Sequence, residues 1–152
     1  AELPRIIGLK DATSDTSRTT SIKSCVKSTF AVFSGEDALA GAFLAQGAVG
    51  CISVTANIAP ALCAAMQNAW AAGDMEGFQA LQAQLMPLHR ALFTETSPAP
   101  VKYAASCLGL SSDEVRLPLL PATTSCRAHL DKVLAECGLL DVPRPAKLRV
   151  HG

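Results

Sequence analysis

Short apolar runs alternate with longer, helically patterned stretches over roughly the first 73 residues, and only the helical pattern continues beyond them. "RIIGL" at 5–9, "FAVFS" at 30–34 and "VGCISV" at 49–54 are apolar runs of strand length. Strands read this way when helices cover both faces of a parallel sheet. Three helical stretches follow them in turn. Residues 14–28 put Ile22, Cys25 and Val26 on one face, with Ser14 or Asp15 as N-cap. Residues 36–46, "EDALAGAFLAQ", carry their acidic residues in the first turn, where the helix dipole favours them, and Gly47 ends the run. Residues 60–72 open on Pro60, suited to a first helical turn, and close on Gly73. Strand and helix alternating three times is an α/β pattern, with a doubly wound sheet or a (β/α) barrel as candidates.

From residue 74 the apolar period is helical only. Asp74 is an N-cap for a helix to about residue 93, with Phe78, Leu81, Leu85, Leu88 and Leu92 as its stripe. Pro87 is expected to kink or interrupt it. Ser97, Pro98 and Pro100 start another helix that ends at Gly109. Ser111-x-x-Glu114 reads as a capping box for one short turn, and "RLPLLP" at 116–121 as extended chain. Thr124 or Ser125 caps a last helix to Cys137, with Gly138 after it. The expected organisation is an α/β portion at 1–73, a helical C-terminal domain at 74–140 and a loosely held basic tail, "DVPRPAKLRVHG", at 141–152.

Composition narrows the function. Thirteen basic and 13 acidic residues balance, against a nucleic-acid or anionic-membrane surface. An apolar content of 49% with 17% charged residues excludes a disordered chain. Nothing reaches the apolar length that spans a bilayer. "AELPRII" shows neither a signal-peptide core nor an Arg-rich transit pattern, and a chain that does not begin with Met is expected to be a cut piece or to lack its natural start. Cys25, Cys51, Cys63, Cys107, Cys126 and Cys137 contain no C-x-x-C pair and no His at a zinc-finger interval. They read as small buried thiols in a reducing compartment, so a cytoplasmic protein without a metal site is expected.

Lys10 is the residue that calls for chemistry. A lysine at the mouth of a strand ordinarily snorkels to the surface. The sharper reading is a Schiff-base lysine, which needs a neutral amine. With an ordinary pKa near 10.4, only about one lysine in 2,500 is neutral at pH 7, and desolvation at the end of a buried strand raises that fraction. In α/β barrels the chemistry sits at the C-terminal strand ends, where Lys10 falls. The second strand end delivers Ser34, Gly35, Glu36 and Asp37, and the third Ser53, Val54, Thr55 and Asn57. Gly35 allows close backbone approach to a ligand, with free N–H groups at the following helix start; alternatively it only makes the turn. His89, beside Arg90, and His129 read as surface or packing histidines, and Trp70 as a core or interface anchor. A Walker loop, a G-x-G-x-x-G fingerprint and a nucleophile elbow are all missing.

Several of these stretches resemble one family. "IIGLKDAT", "FSGEDALAGAFLAQGAVGCISVTANIAP", "LMPLHRALF", "SPAPVKYAASCLGL" and "VRLPLLP" occur in the order seen in 4-hydroxy-tetrahydrodipicolinate synthases. These belong to the pyruvate-dependent class I aldolase superfamily, which also holds N-acetylneuraminate lyase. The likeness runs from about residue 4 to residue 140, and "GCISVTAN" and "LMPLH" favour the synthases over the lyase. It implies a (β/α)8 TIM barrel with a C-terminal helical domain, in a homotetramer. By the same resemblance Lys10 is the lysine that forms a Schiff base with pyruvate, and Gly35 and Ile52 line the pyruvate pocket. The resulting enamine attacks aspartate semialdehyde in lysine and diaminopimelate biosynthesis, with no metal or organic cofactor. Ser34 and Thr55 are further lining candidates.

The resemblance also implies that the chain holds only strands six to eight, so five are missing. With them go the proton-relay tyrosine and threonines, the arginine for the semialdehyde carboxylate and the lysine-feedback site. Tyr103 does not match the relay tyrosine, and "TSPAP" replaces an Asn-Pro that many members carry. Three strands cannot close a barrel, so an open edge and an exposed apolar face are expected. Two other readings stand beside this one: a related pyruvate aldolase with another acceptor, such as a neuraminate-lyase-like enzyme, and a non-catalytic fragment that associates with a full-length synthase.

Overall fold

A computed structural model describes residues 3–140. Three strands form one parallel sheet in the order β1 (Gly8–Asp11), β2 (Ala31–Ser34), β3 (Gly50–Cys51). The register aligns Lys10 with Phe33 and Phe33 with Gly50. Helix α1 (Ser17–Cys25) links β1 to β2. A 3₁₀ turn (Asp37–Leu39) and α2 (Ala40–Ala45) link β2 to β3, and α3 (Pro60–Ala72) follows β3. Three helices complete the described chain: α4 (Met75–Ala91), α5 (Ala99–Cys107) and α6 (Thr124–Glu136). The α/β architecture with parallel strands is thus as the apolar pattern predicted.

The strands are shorter than the apolar runs. Residues 5–7 precede the paired segment, and β1 extends through Lys10 to Asp11, so the lysine lies within the strand. β3 is only two residues long because Ser53 turns away to bond Asp37 and the chain enters a second 3₁₀ turn (Thr55–Asn57). Among the described residues β1 and β3 each pair on one side only. Ile6, Ile7 and Leu9 around β1, and Val49 and Ile52 around β3, are accordingly exposed, although their apolar runs read as covered strands.

Helix α1 also begins later than its pattern suggested. Its N-cap is Thr16, whose side chain makes no capping bond, while Asp15 accepts from the Ser17 backbone N–H at 3.0 Å. The run at 36–46 starts as the 3₁₀ turn before it becomes α-helix. Pro60 and Gly73 behave as expected, Gly73 closing α3 at φ +75°. Asp74 caps α4 by accepting from Gly77 N–H at 2.9 Å. Pro87 does not interrupt α4. It sits on the exposed side with Ala83, the residue whose carbonyl loses its helical donor, while Leu85, Leu88, Ala91 and Leu92 hold the other side in the core.

Two local signals downstream are overridden. Ser111 and Glu114 form no capped turn; Ser111 Oγ bonds the Ser112 carbonyl instead. Residues 116–121 were expected to be extended; Leu117 and Pro118 instead form a turn, closed by Leu119 N–H donating to Arg116 O at 3.0 Å. Helix α6 is capped by Thr123, one residue before the expected cap, because Thr123 is the last extended residue (ψ 162°) and its hydroxyl accepts from Cys126 N–H at 3.3 Å. The basic tail expected at 141–152 lies outside the described residues.

One buried cluster joins both halves. It runs from Ala40 and Leu44 of α2 through Met66 of α3 and Leu85 and Leu88 of α4 to Leu130 and Leu134 of α6. Trp70 and Phe78 pack edge to face across the α3–α4 hairpin, their ring centres 5.2 Å apart, which gives Trp70 the packing role expected of it. The helices after α3 therefore pack on α3 and on the turns that follow β2 and β3, while α2 covers the strands themselves.

Candidate active site

The sheet register assembles the three residues singled out from the resemblance. Alternation along the pleat puts Lys10, Phe33 and Gly50 on one face. One step of the same parity further on come Gly35 and Ile52. Gly35 N–H donates to Asp11 O at 2.6 Å, and Ile52 N–H donates to Ser34 O at 2.8 Å. Lys10, Gly35 and Ile52 thus share the open face at the C-terminal end of the sheet.

Gly35 is where Lys10 and its neighbours converge. A Cβ there would stand 2.6 Å from Lys10 Cε, 2.8 Å from Ala12 Cβ and 3.1 Å from Ala12 Cα. The lysine stem occupies part of the space a side chain would need, so glycine here serves a close approach within the protein. The N–H groups beyond it are not all free, because Ser34 Oγ accepts from Glu36 N–H at 3.1 Å. Lys10 itself is exposed, and the desolvation expected at its strand end is not supplied by the described residues. Ile52, at 49% exposure, likewise lacks an opposite wall.

Ser34 and Thr55 do not line this face. Both are fully buried on the helix side of the strand ends. Ser34 Oγ holds the Glu36 backbone, while Thr55 Oγ1 lies 2.7 Å from His89 Nδ1. Asp11 is buried next to Lys10 in sequence but turned the other way, accepting from Thr13 and from Arg18 Nε at 2.9 Å. Burial alone would raise its carboxyl; the bonds from Thr13 and Arg18 outweigh that and hold it below the usual carboxylate range.

On the opposite side of these strand ends lies a polar network that sequence reading missed. Asp37 accepts from Ser53 Oγ, from Val54 N–H at 2.9 Å and from Thr55 N–H at 3.3 Å. His89 Nδ1 is 3.9 Å from the same carboxylate. His89 was read as a surface or packing residue, and the packing alternative holds: it is 2% exposed, with a hydrogen bond in addition. Burial depresses its pKa, and the Asp37 charge opposes this only partly. Its position was a usable signal: it falls four residues after Leu85 and beside Leu88, on the buried stripe of α4.

The remaining chemistry-bearing groups serve packing. A cavity of about 240 Å³ between β3 and α3 is lined by Asp37, Cys51, Ser53, Ala56, Cys63 and Gln67 among others. Burial, with the Asp37 charge, pushes the Cys51 thiol up to about 12 and raises Cys63, so neither is a thiolate near neutral pH. Cys25 is exposed, against the expectation of buried thiols. Tyr103 donates to Asp131 at 2.9 Å, within the helical layer, and His129 is on the surface. No group of three or more metal-ligating side chains occurs among the described residues.

Comparison with known proteins bears on the family and the fold. The sequence model of the dihydrodipicolinate synthetase family matches residues 1–137. The chain is 54% identical over 140 residues to the 4-hydroxy-tetrahydrodipicolinate synthase of Rhodospirillum centenum, covering 92% of this chain and 48% of that protein. It is 51% identical to that of Acidiphilium cryptum, with the same coverage. Among solved structures, dihydrodipicolinate synthase of Thermotoga maritima superposes with a TM-score of 0.87 at 36% identity, over 91% of this chain and 48% of that one. A synthase variant described as the first monomeric one superposes equally well, at 0.87 and 36%, over 92% of this chain and 48% of its own. The chain spans about half the length of the curated relatives it matches.

Proposed function

Because the chain belongs to the dihydrodipicolinate synthetase family, we propose that it is the lysine-bearing part of an enzyme that condenses pyruvate with aspartate semialdehyde. The observation that carries this reading is the fit of the Lys10 stem into the space above Gly35, at the C-terminal end of a parallel sheet. Lys10 Nζ adds to C2 of pyruvate, and loss of water gives the Schiff base. Loss of a C3 proton gives an enamine, whose C3 attacks the aldehyde carbon and forms the new carbon–carbon bond. Attack of the acceptor's own amine then closes the ring and releases the lysine. Gly35 and Ile52 shape the pyruvate side of the pocket. The scheme uses the covalent bond to Lys10 and no metal or organic cofactor.

The three strands are, in this proposal, the last three of a (β/α)8 barrel. What supports it is the end of alternation: after α3 the described chain is helical, with no further strand for a barrel to use. Residues 74–140 would then be the helical C-terminal domain that packs subunits together in a homo-oligomer of the cytoplasm, a tetramer by the resemblance. Five strands, the eight of the barrel less the three here, come from residues outside this chain. The exposure of Lys10 and Ile52 favours a second reading for the chain in isolation, as an inert portion that becomes competent only when those strands cover it.

Borohydride trapping with pyruvate tests the assignment. A mass increase mapping to Lys10, abolished in Lys10→Ala, is expected once the sheet is covered by the missing strands. An adduct that persists in Lys10→Ala overturns the role of Lys10. Turnover with a panel of acceptor aldehydes separates the synthase from a neuraminate-lyase-like aldolase.

A further inference from the structure

Residues 53–57 form the turn by which the chain leaves Ile52, and their fixation is built from a few buried groups. Asp37 holds one side of the turn through Ser53 Oγ, Val54 N–H and Thr55 N–H. Ser53 Oγ also accepts from Ala56 N–H at 2.8 Å. The other side rests on α4, where His89 Nδ1 meets Thr55 Oγ1 at 2.7 Å. Both residues are almost fully buried, and Leu85 and Leu88 on the same helix, with Leu92 at its C-cap, are 0% exposed. A histidine in such a place is either filler or a strut.

Its two nitrogens decide which. Nε2 is buried and has no hydrogen-bond partner among the described residues. A buried bare acceptor is tolerated more readily than a buried orphan N–H. The Asp37 carboxylate, 3.9 Å from Nδ1, is too far for a hydrogen bond but near enough to repel a lone pair there and to favour a proton. Both effects favour placing the single proton of the neutral ring on Nδ1, aimed at Thr55 Oγ1, whose own hydroxyl proton then turns away from the ring.

We propose that His89 is a positioning residue for the pyruvate pocket: as the neutral, Nδ1-protonated imidazole it donates to Thr55 Oγ1 and locks the turn that carries Ile52. The pocket part of this rests on the reading of Lys10, Gly35 and Ile52 given above. His89 touches no reacting atom; it acts through Thr55. Asp37 and His89 together clamp the turn from two elements, so loss of either frees it while the sheet stays paired.

Long-range ¹H–¹⁵N correlation spectra of the wild-type chain read the tautomer directly. Nδ1 protonated and Nε2 bare is the expected pattern, and a proton on Nε2 overturns the proposal. Two substitutions separate strut from filler. His89→Asn places an amide nitrogen near the position of Nδ1, and His89→Gln places one near Nε2. Amide exchange at residues 53–57 should stay close to wild type in the Asn variant and accelerate about tenfold in the Gln variant, the size of one lost buried hydrogen bond. Equal effects of the two variants overturn the strut. In the protein completed by its missing strands, pyruvate trapping at Lys10 should follow the same order. If the wild type traps nothing there, the pocket reading fails, while the tautomer and the exchange pattern still decide whether His89 holds the turn.

Discussion

At the scale of single residues, the site depends on one absent side chain. Lys10 Cε and Ala12 both lie within the space a Cβ at position 35 would take. The lysine end is flexible and can swing away, but the Ala12 Cα belongs to the backbone and cannot. Gly35→Ala should therefore move the amine off its position and destabilise the chain by about 1–3 kcal/mol through overpacking. Denaturant unfolding measures the second effect, and the rate of pyruvate trapping in the completed protein measures the first. His89 supplies a pH dependence. Its folded pKa lies below the ordinary value, so below about pH 6.5 the unfolded chain binds a proton that the folded chain refuses. Stability should fall as pH drops below that value, by up to about 1.4 kcal/mol per unit until the folded pKa is reached. A His89→Asn variant, which has no such group, should lose that part of the slope in urea titrations run across this range.

At the scale of elements, α4 is the piece on which the helical layer depends. It meets α3 through the Gly73–Asp74 hairpin, α6 through the central cluster, and the turn after β3 through His89. Its start is set by one carboxylate. Asp74→Ala should cost about 1 kcal/mol, read as a lower urea midpoint with unchanged slope. Its middle is set by burial. Leu88→Ala removes a fully buried side chain and should cost about 2–5 kcal/mol. The proline between these positions does less than local propensity suggests. It lies on the wet side of the helix, while Leu85 and Leu88 bury their side chains on the other.

At the scale of the whole molecule, the consequence is a sheet covered on one side. No helix among the described residues is long and apolar enough to cross a membrane, so lipid-spanning helices do not account for the exposed apolar side chains. Ile7, 75% exposed, and Ile6 flank the free β1 edge, while Val49 and Ile52 flank β3. An edge and a patch of this kind favour association. Ile7→Lys should lower concentration-dependent self-association of the isolated chain, measured by sedimentation velocity, without changing its circular dichroism. Undiminished self-association in that variant would place the sticky surface elsewhere. If further strands cover this face, as proposed above, association should be suppressed further and Lys10 buried, which is the change its proposed chemistry needs.

The apolar runs, Pro60, Gly73 and Asp74 determined by local chemistry alone that strands and helices alternate and where α3 and α4 meet. Family membership was legible too, since it is carried by contiguous motifs around Lys10, Gly35, Ile52 and "LMPLHRALF". What those motifs do in space was not. The lengths of β1 and β3, the burial of Ser34 and Thr55, and the role of His89 follow from which neighbour each backbone and side-chain group finds. Asp37 and Thr55 are 18 residues apart, and Thr55 and His89 are 34 apart. No local period records such partners. Hydrophobic period and turn chemistry act over a few residues and can be read along the chain. The state of a buried polar group depends on atoms brought to it from distant segments, and only the tertiary structure decides those.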